Sequence, residues 1–335
     1  MSKVKVHTII LKPILTKEQI KKKEGYYFPE THYTKHNKIV TKNTDVYGIE
    51  SDGTKKLLFK FRKNVIPEQI CIDAYNALET HAKHKNSNRG AAAGKLSLGK
   101  LPKHVGTITK TDKFRVFYKT KHGSISKDNV SNIAQSNIAG YYDRPDRNEY
   151  TRNNKTKTKK KSKIMNNHKK IPMCRTTQFT KKNVDKWKKT IPLIKEADRL
   201  FKKLVPDRYK IQLERAQQTP KFQIDNTAYS TITLNYNWRT ASHCDSGDLD
   251  EGFGNLIVLE KSKSNYNSKL KDTNTNGYTG GYLGFPRWGI CVDVRQGDFL
   301  AMDVHEYHSN TPIIGDGRLS VVCYLRKKMI NCKRI

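Results

Sequence analysis

Beyond residue 230 the chain falls into short runs of alternating apolar and polar residues, closed by glycine, asparagine or aspartate. A two-residue period is the signature of a strand that buries one face. It predicts strands over 231–236, 255–259, 282–285, 290–294, 299–304 and 319–325. The last is the most regular. Leu319, Val321, Cys323 and Leu325 make an apolar face suited to pack against helices, while Arg318, Ser320, Tyr324 and Arg326 share the other face with Val322. Upstream the period changes: Trp187, Ile191, Ile194, Ala197, Phe201 and Leu204 recur at three- and four-residue steps. That stripe predicts a helix over 181–204, interrupted or restarted near Pro192. Another helix opens at Pro67 and runs through Ile70, Ala74 and Leu78, after a strand over 56–61 that follows the Asp52-Gly53 turn. Runs at 105–108 and 114–118 read as strands, and residues 1–53 are polar and irregular.

Closely spaced strands with glycine turns, behind a more helical first half, predict an α+β chain with a mainly β core, a barrel or sandwich. Its organisation reads as a basic N-terminal segment over 1–55 and one domain over 56–335. Two stretches interrupt that domain. Residues 151–170 are lysine-rich with almost no apolar content, suited to a backbone-contacting arm, an import signal or a tolerated insertion. Residues 261–280, rich in Lys, Ser, Asn and Thr, form a long loop that would serve as a lid beside a site.

Charge adds a partner. Lys and Arg total 65 against 31 Asp and Glu, a formal net charge of +34, and such a field points to a polyanion, nucleic acid first. An anionic membrane surface fits less well, because no long apolar run or clean amphipathic basic helix is present. The apolar run near the N-terminus is too short for a signal peptide, which favours an intracellular location wherever DNA is accessible, the nucleus included. The six cysteines include no Cys-x-x-Cys pair, so free thiols are expected. Asn88-Arg89-Gly90-Ala91-Ala92-Ala93-Gly94-Lys95 has three residues between its glycines, and Leu96 follows the lysine, so it fails the phosphate-loop pattern. A glycine-rich loop touching a nucleic-acid backbone suits it better.

Candidate chemistry begins at His243-Cys244-Asp245. On a strand His243 and Asp245 share a face, and a non-haem Fe(II) site built from two histidines and one carboxylate needs one more histidine. His305 and His308 both follow the 299–304 run; three apart, they face opposite sides of an extended backbone, so only one enters the site. His308 is the better choice. Arg318 stands ten residues beyond it, where two antiparallel strands joined by a loop would set a guanidinium opposite the metal. The planar fork of arginine is made for a carboxylate, and Ser320 lies on the same face.

With these motifs the chain resembles the TET/JBP family of Fe(II)- and 2-oxoglutarate-dependent nucleic-acid dioxygenases from about Lys56 to Arg326, most specifically between Asn235 and Arg326. The resemblance implies a double-stranded β-helix of jelly-roll or cupin type with flanking helices. It implies iron held by His243, Asp245 and His308, and 2-oxoglutarate held by Arg318 and Ser320. It also implies an arginine reaching that co-substrate from Cys174-Arg175-Thr176, hence Arg175. Asp248 takes the position that contacts a target base, and Tyr324 the position that stacks on it. Arg326 stands where the family usually has a histidine, which leaves the base open. The expected partner is double-stranded DNA with the base flipped out, and the expected reaction is oxidation of a base methyl group with Fe(II), 2-oxoglutarate and dioxygen. Cytosine's exocyclic amine suits a carboxylate at Asp248 and slightly favours 5-methylcytosine, while thymine offers its imide N–H to the same group. Two other readings stand beside this one: a protein or amino-acid hydroxylase on the same barrel, and a non-catalytic DNA-binding module. Oligomeric state is not legible.

Overall fold

The computed structural model describes residues 5–35, 39–125, 129–143, 147–148, 170–171, 173–261 and 277–332. Its centre is a nine-stranded sheet with the spatial order His7–Leu11, Thr44–Ile49, Lys55–Arg62, Phe299–Met302, Gly254–Glu260, Arg318–Tyr324, Thr231–Tyr236, Ser136–Asp143 and Cys174–Thr176. A four-stranded sheet faces it, in the order Ser309–Asn310, Leu283–Phe285, Ile290–Val292 and Ile39–Val40. Strands far apart in sequence are neighbours in both sheets, the jelly-roll arrangement that forms a double-stranded β-helix.

Each face of the large sheet has its own core, and the two-residue period decides which residue joins which. Leu319, Val321 and Cys323 turn outward with Ile232, Leu234 and Ile257, where helices Glu68–Ala82 and Val184–Leu204 cover them. Leu256, Val258, Leu300 and Met302 turn inward against Phe285, Trp288, Ile290 and Val292. The Gly254–Glu260 strand is buried along its whole length because both its faces are covered. Arg318, Ser320, Val322 and Tyr324 fall on the inward side, opposite Asn235, Thr233 and Thr231 of the neighbouring strand. That polar inward face becomes the site.

Several expectations need correction. Residues 1–53 are not irregular: Thr16 caps a helix over Lys17–Lys22 with a reciprocal capping box, and three N-terminal strands join the two sheets. His7–Leu11 runs parallel to Thr44–Ile49, which pairs with Lys55–Arg62, so hydrogen bonding crosses residue 55 without a break. Their pattern was hidden because polar residues, Thr44 among them, take buried positions on these strands. Pro192 does not interrupt its helix, which runs unbroken over Val184–Leu204. Pro192 and Lys188, whose carbonyl loses its helical partner, are both exposed, so the lost bond lies on the solvent side of the helix. A further helix, Pro206–Gln217, for which the periodicity gave no expectation, precedes the strands. Pro206 is tolerated at its first turn, where the missing N–H has no intrahelical partner anyway.

Not all thiols are free: Cys174 and Cys332 form a disulfide with Cα atoms 5.9 Å apart. The two residues are 158 positions apart, a proximity no local spacing could reveal. Most of the lysine-rich stretch and residues 262–276 lie outside the described residues; 278–280, expected within the long loop, pair as a strand with Ile313–Gly315. No helix among the described residues is long and apolar enough to cross a membrane.

Candidate active site

His243 and Asp245 do not lie on a strand. The 242–248 segment is a loop tied down by backbone bonds: His243 exchanges N–H···O bonds of 3.1 and 3.0 Å with His308, Asp245 N–H donates to Val304 O at 3.0 Å, and Asp248 forms an antiparallel bridge with Arg326. Three ties over six residues fix the loop as firmly as a strand would. They bring the His243, Asp245 and His308 ligand atoms within 4.8 Å of one another, the only such His/Cys/Asp/Glu cluster among the described residues. His243 Nε2 lies 3.5 Å from Asp245 Oδ1, and His308 Nε2 lies 3.7 Å from Asp245 Oδ2.

The outer hydrogen bonds set the tautomers. His243 Nδ1 donates to Ala241 O at 2.8 Å and His308 Nδ1 to Glu306 O at 2.9 Å. A carbonyl only accepts, so each Nδ1 carries a proton, and Nε2 is the nitrogen each ring turns toward Asp245 and leaves for a metal. Burial pushes the His308 imidazole down to about 4, helped by the charge of His243. Burial works against the Asp245 carboxylate, yet the His243 hydrogen bond and the charges of His243 and His308 hold it down to about 2. A neutral imidazole beside an ionised carboxylate is the donor set a divalent cation needs. His305 stands apart: its Nε2 bonds to Leu249 O at 2.9 Å.

The cluster opens into a cavity of about 750 Å³. Arg318 and Ser320 line it, as do Asp248, Tyr324 and Arg326. Arg318 is 2% exposed, and its Nε finds no hydrogen-bond partner. Gly281 opposite it, at φ +72°, would set a Cβ 2.9 Å from that Nε, so the backbone approaches as close as glycine permits. A buried guanidinium on a cavity wall, with one of its donors unsatisfied, asks for an anion, and a 2-oxoglutarate carboxylate fits that demand. Tyr324 Oη is 3.3 Å from the Thr233 hydroxyl, and Arg326 is paired with Asp143. Burial pushes the Asp248 carboxyl well above its ordinary value, and nearby Asp245 adds to this while Arg326 opposes it.

Arg175 is not in the cavity. Its guanidinium packs over the Tyr142 ring and donates to Tyr142 Oη at 3.0 Å. Strand register explains the miss: Arg175 pairs with Tyr142, beyond the Gly140–Thr231–Tyr324 level, whereas Arg318 lies six residues back along its strand. At about 3.3 Å per residue that is roughly 20 Å toward the other end of the sheet. Arg89 was missed in the opposite sense. Its glycine-rich loop lines the cavity instead of standing apart from it, with Ala241 N–H bonded to Ala92 O at 2.9 Å. The glycines flagged this loop, but nothing local joined it to residues 150 positions away.

Residues 140–327 match the family model Tet_JBP, described as the oxygenase domain of the 2OGFeDO superfamily. Thymine dioxygenase JBP1 of Trypanosoma brucei brucei is 33% identical over 159 residues, 46% of this chain and 17% of that protein. Bifunctional helicase and thymine dioxygenase JBP2 of Leishmania major is 32% identical over 163 residues, 47% of this chain and 13% of that protein. The match thus spans less than a fifth of either relative. Among solved structures, one described as NgTET1 in complex with 5mC DNA aligns over 93% of this chain and 92% of its own, at 12% identity and a TM-score of 0.45. The family match takes in more than half of the 335 residues and includes the whole His243, Asp245 and His308 cluster with Arg318. This chain belongs to the Tet_JBP family, within a superfamily whose oxygenases use Fe(II), 2-oxoglutarate and dioxygen.

Proposed function

We propose that this protein oxidises the methyl group of a base in DNA, taking the base flipped out of the duplex. The observation that carries the reading is a single cavity shared by three sets of side chains. These are a metal-ready cluster, a buried arginine with one donor unsatisfied, and an aromatic ring with acidic and basic neighbours. His243, Asp245 and His308 would hold Fe(II), and Arg318 with Ser320 would hold the far carboxylate of 2-oxoglutarate. When bound, iron, 2-oxoglutarate and dioxygen supply the oxidising power to hydroxylate an unactivated C–H bond.

The chain's own residues do the rest. Tyr324, whose ring is fixed by the Thr233 contact, offers a face for the base to stack on. A methyl group inside a stacked duplex does not reach a cluster this deep, so the nucleotide must swing out. Asp248, favoured in its neutral form by burial, donates through its O–H and accepts through its carbonyl. That pairing suits N3 and the amine of cytosine, and equally the imide N–H and a carbonyl of thymine. The slight preference for 5-methylcytosine drawn from an ionised carboxylate is therefore weaker here. Arg326, only a donor, matches the second carbonyl of thymine, and the relatives in Trypanosoma and Leishmania are named as thymine dioxygenases. Action wherever DNA is accessible, the nucleus included, follows from this substrate.

The test is incubation with Fe(II), 2-oxoglutarate and duplexes carrying either thymine alone or 5-methylcytosine, followed by nucleoside mass spectrometry. Oxidised methyl bases are expected, and their identity reports the base. Succinate released only with a peptide would replace this reading with the protein hydroxylase. DNA binding with no oxidised product, unaltered in Asp245→Ala, would replace it with the non-catalytic module.

A further inference from the structure

Beside the cavity stands a two-stranded ribbon outside both main sheets, Val105–Asp112 paired with Arg115–Thr120. It has its own small core: Val116, Tyr118 and Val130 pack with Leu96, Leu101, Val105 and Ile108. Since Val116 and Tyr118 turn inward, alternation puts Arg115, Phe117 and Lys119 on the outer face. Register adds Lys110 opposite Phe117 and Asp112 opposite Arg115. Lys110, Arg115 and Lys119 are exposed, and Phe117 is half-covered between them. The outer face is therefore basic with one aromatic ring and no large apolar patch, a surface suited to phosphates rather than to a folded protein.

Its placement is as telling as its charge. Asp112, Phe114 and Arg115 at the tip line the cavity mouth. Phe114 packs onto Gly25, which at φ +76° would drive a Cβ to 2.4 Å from the ring, and Lys113 pairs with Glu24. Gly25 N–H in turn donates to Ser242 O at 2.8 Å, the residue before His243. These contacts tie the tip to the loop that carries His243. An eight-residue strand spans about 26 Å, and a two-stranded ribbon fits the major groove, about 12 Å wide.

We infer that this ribbon is a duplex-DNA contact surface that lies along a groove and delivers the strand to the cavity. Lys110 and Lys119 neutralise phosphates, and Arg115 takes a phosphate beside the extruded base. The inference rests on the DNA reading above and adds which surface carries the contact.

The test compares Lys110→Glu/Lys119→Glu with Lys188→Glu/Lys203→Glu, whose exposed lysines lie on the helix covering the opposite face of the large sheet. Both change the net charge equally, so a general field effect cancels between them. Affinity for a methylated duplex is read by fluorescence anisotropy across a salt series, with thermal melting to confirm folding. The ribbon variant should bind roughly tenfold or more weakly and lose about 2 from the log–log salt slope, while the helix variant changes less than about twofold. Equal loss in the two variants, or no loss in the ribbon variant while the wild type binds and oxidises DNA, overturns the ribbon assignment alone. A wild type that neither binds nor oxidises DNA overturns the DNA reading and the ribbon with it.

Discussion

A guanidinium taken out of water without a partner costs several kcal/mol, so a protein keeps one only where a ligand will supply the counter-charge. Arg318 approaches that description at a cavity wall, 2% exposed and with its Nε lacking a hydrogen-bond partner. Arg318→Met, similar in length and apolar, should leave the unliganded protein as stable as before or more so. It should weaken 2-oxoglutarate binding about thirtyfold or more, the cost of losing one partner of a buried charge pair. Calorimetry with Mn(II) as a redox-silent ion measures it, and unchanged affinity would remove Arg318 from the co-substrate site. At this scale much was legible: the spacing of His243, Asp245, His308, Arg318 and Ser320 encodes chemistry directly. The spacing to Arg318, which favours His308 over His305, selects the histidine that stands in the cluster, although both sit in loops where the strand alternation used to separate them does not strictly apply. Arg175 lies away from the cavity and the Arg89 loop borders it, placements that local spacing does not carry because neither is tied by it to the cluster.

Among the elements, apolar runs and regular apolar stripes were legible, and strands carrying polar residues on a covered face were not. The outer faces of Thr231–Tyr236 and Arg318–Tyr324 alternate cleanly because helices cover one side. Ser136–Asp143 was missed because its polar residues, Ser136 and Asn137 among them, line the cavity and blur the period. Function and pattern conflict there, and function prevails. The Val184–Leu204 helix shows the reverse, an apolar stripe strong enough to carry a proline through its middle. Pro192→Ala restores the N–H that Lys188 O lacks. It should stabilise the protein by about 1–2 kcal/mol, the helix-interior difference of roughly 3 reduced by the freer unfolded chain. Urea denaturation checks this, and a destabilised variant would mean that the proline ring packs usefully where it appears exposed.

At the scale of the whole molecule, the N-terminal strands are locked to the site by a charge network. Arg287 grips Glu50 with both terminal nitrogens and lies 3.7 Å from Glu306, which is also paired with Lys56. Glu306 O is in turn the acceptor that orients His308. Hydrogen bonding from Arg287 outweighs burial and holds the Glu50 carboxylate down to about 2. A depressed carboxylate contributes stability that is present above its ordinary value near 4.5 and is lost as pH falls through about 2. Glu50→Gln should therefore be less stable near neutrality by on the order of 2 kcal/mol, and the gap should close as the pH approaches 2. Denaturation of both proteins between pH 7 and 2 tests it; a gap independent of pH would show that Glu50 acts by shape and not by charge.

Sequence alone determined the mainly β core, the outer apolar faces, the residue types of the His243, Asp245 and His308 cluster and the large positive charge, because each is written in period, spacing or composition. Only the tertiary structure decided that residues before 55 share the sheets, that Cys174 meets Cys332, and that Arg89 and the Val105–Thr120 ribbon border the cavity while Arg175 does not. These depend on which distant strands pair and in what register. Pairing is a property of the closed barrel, set by loop closure and burial across the whole chain and not by any local run of residues.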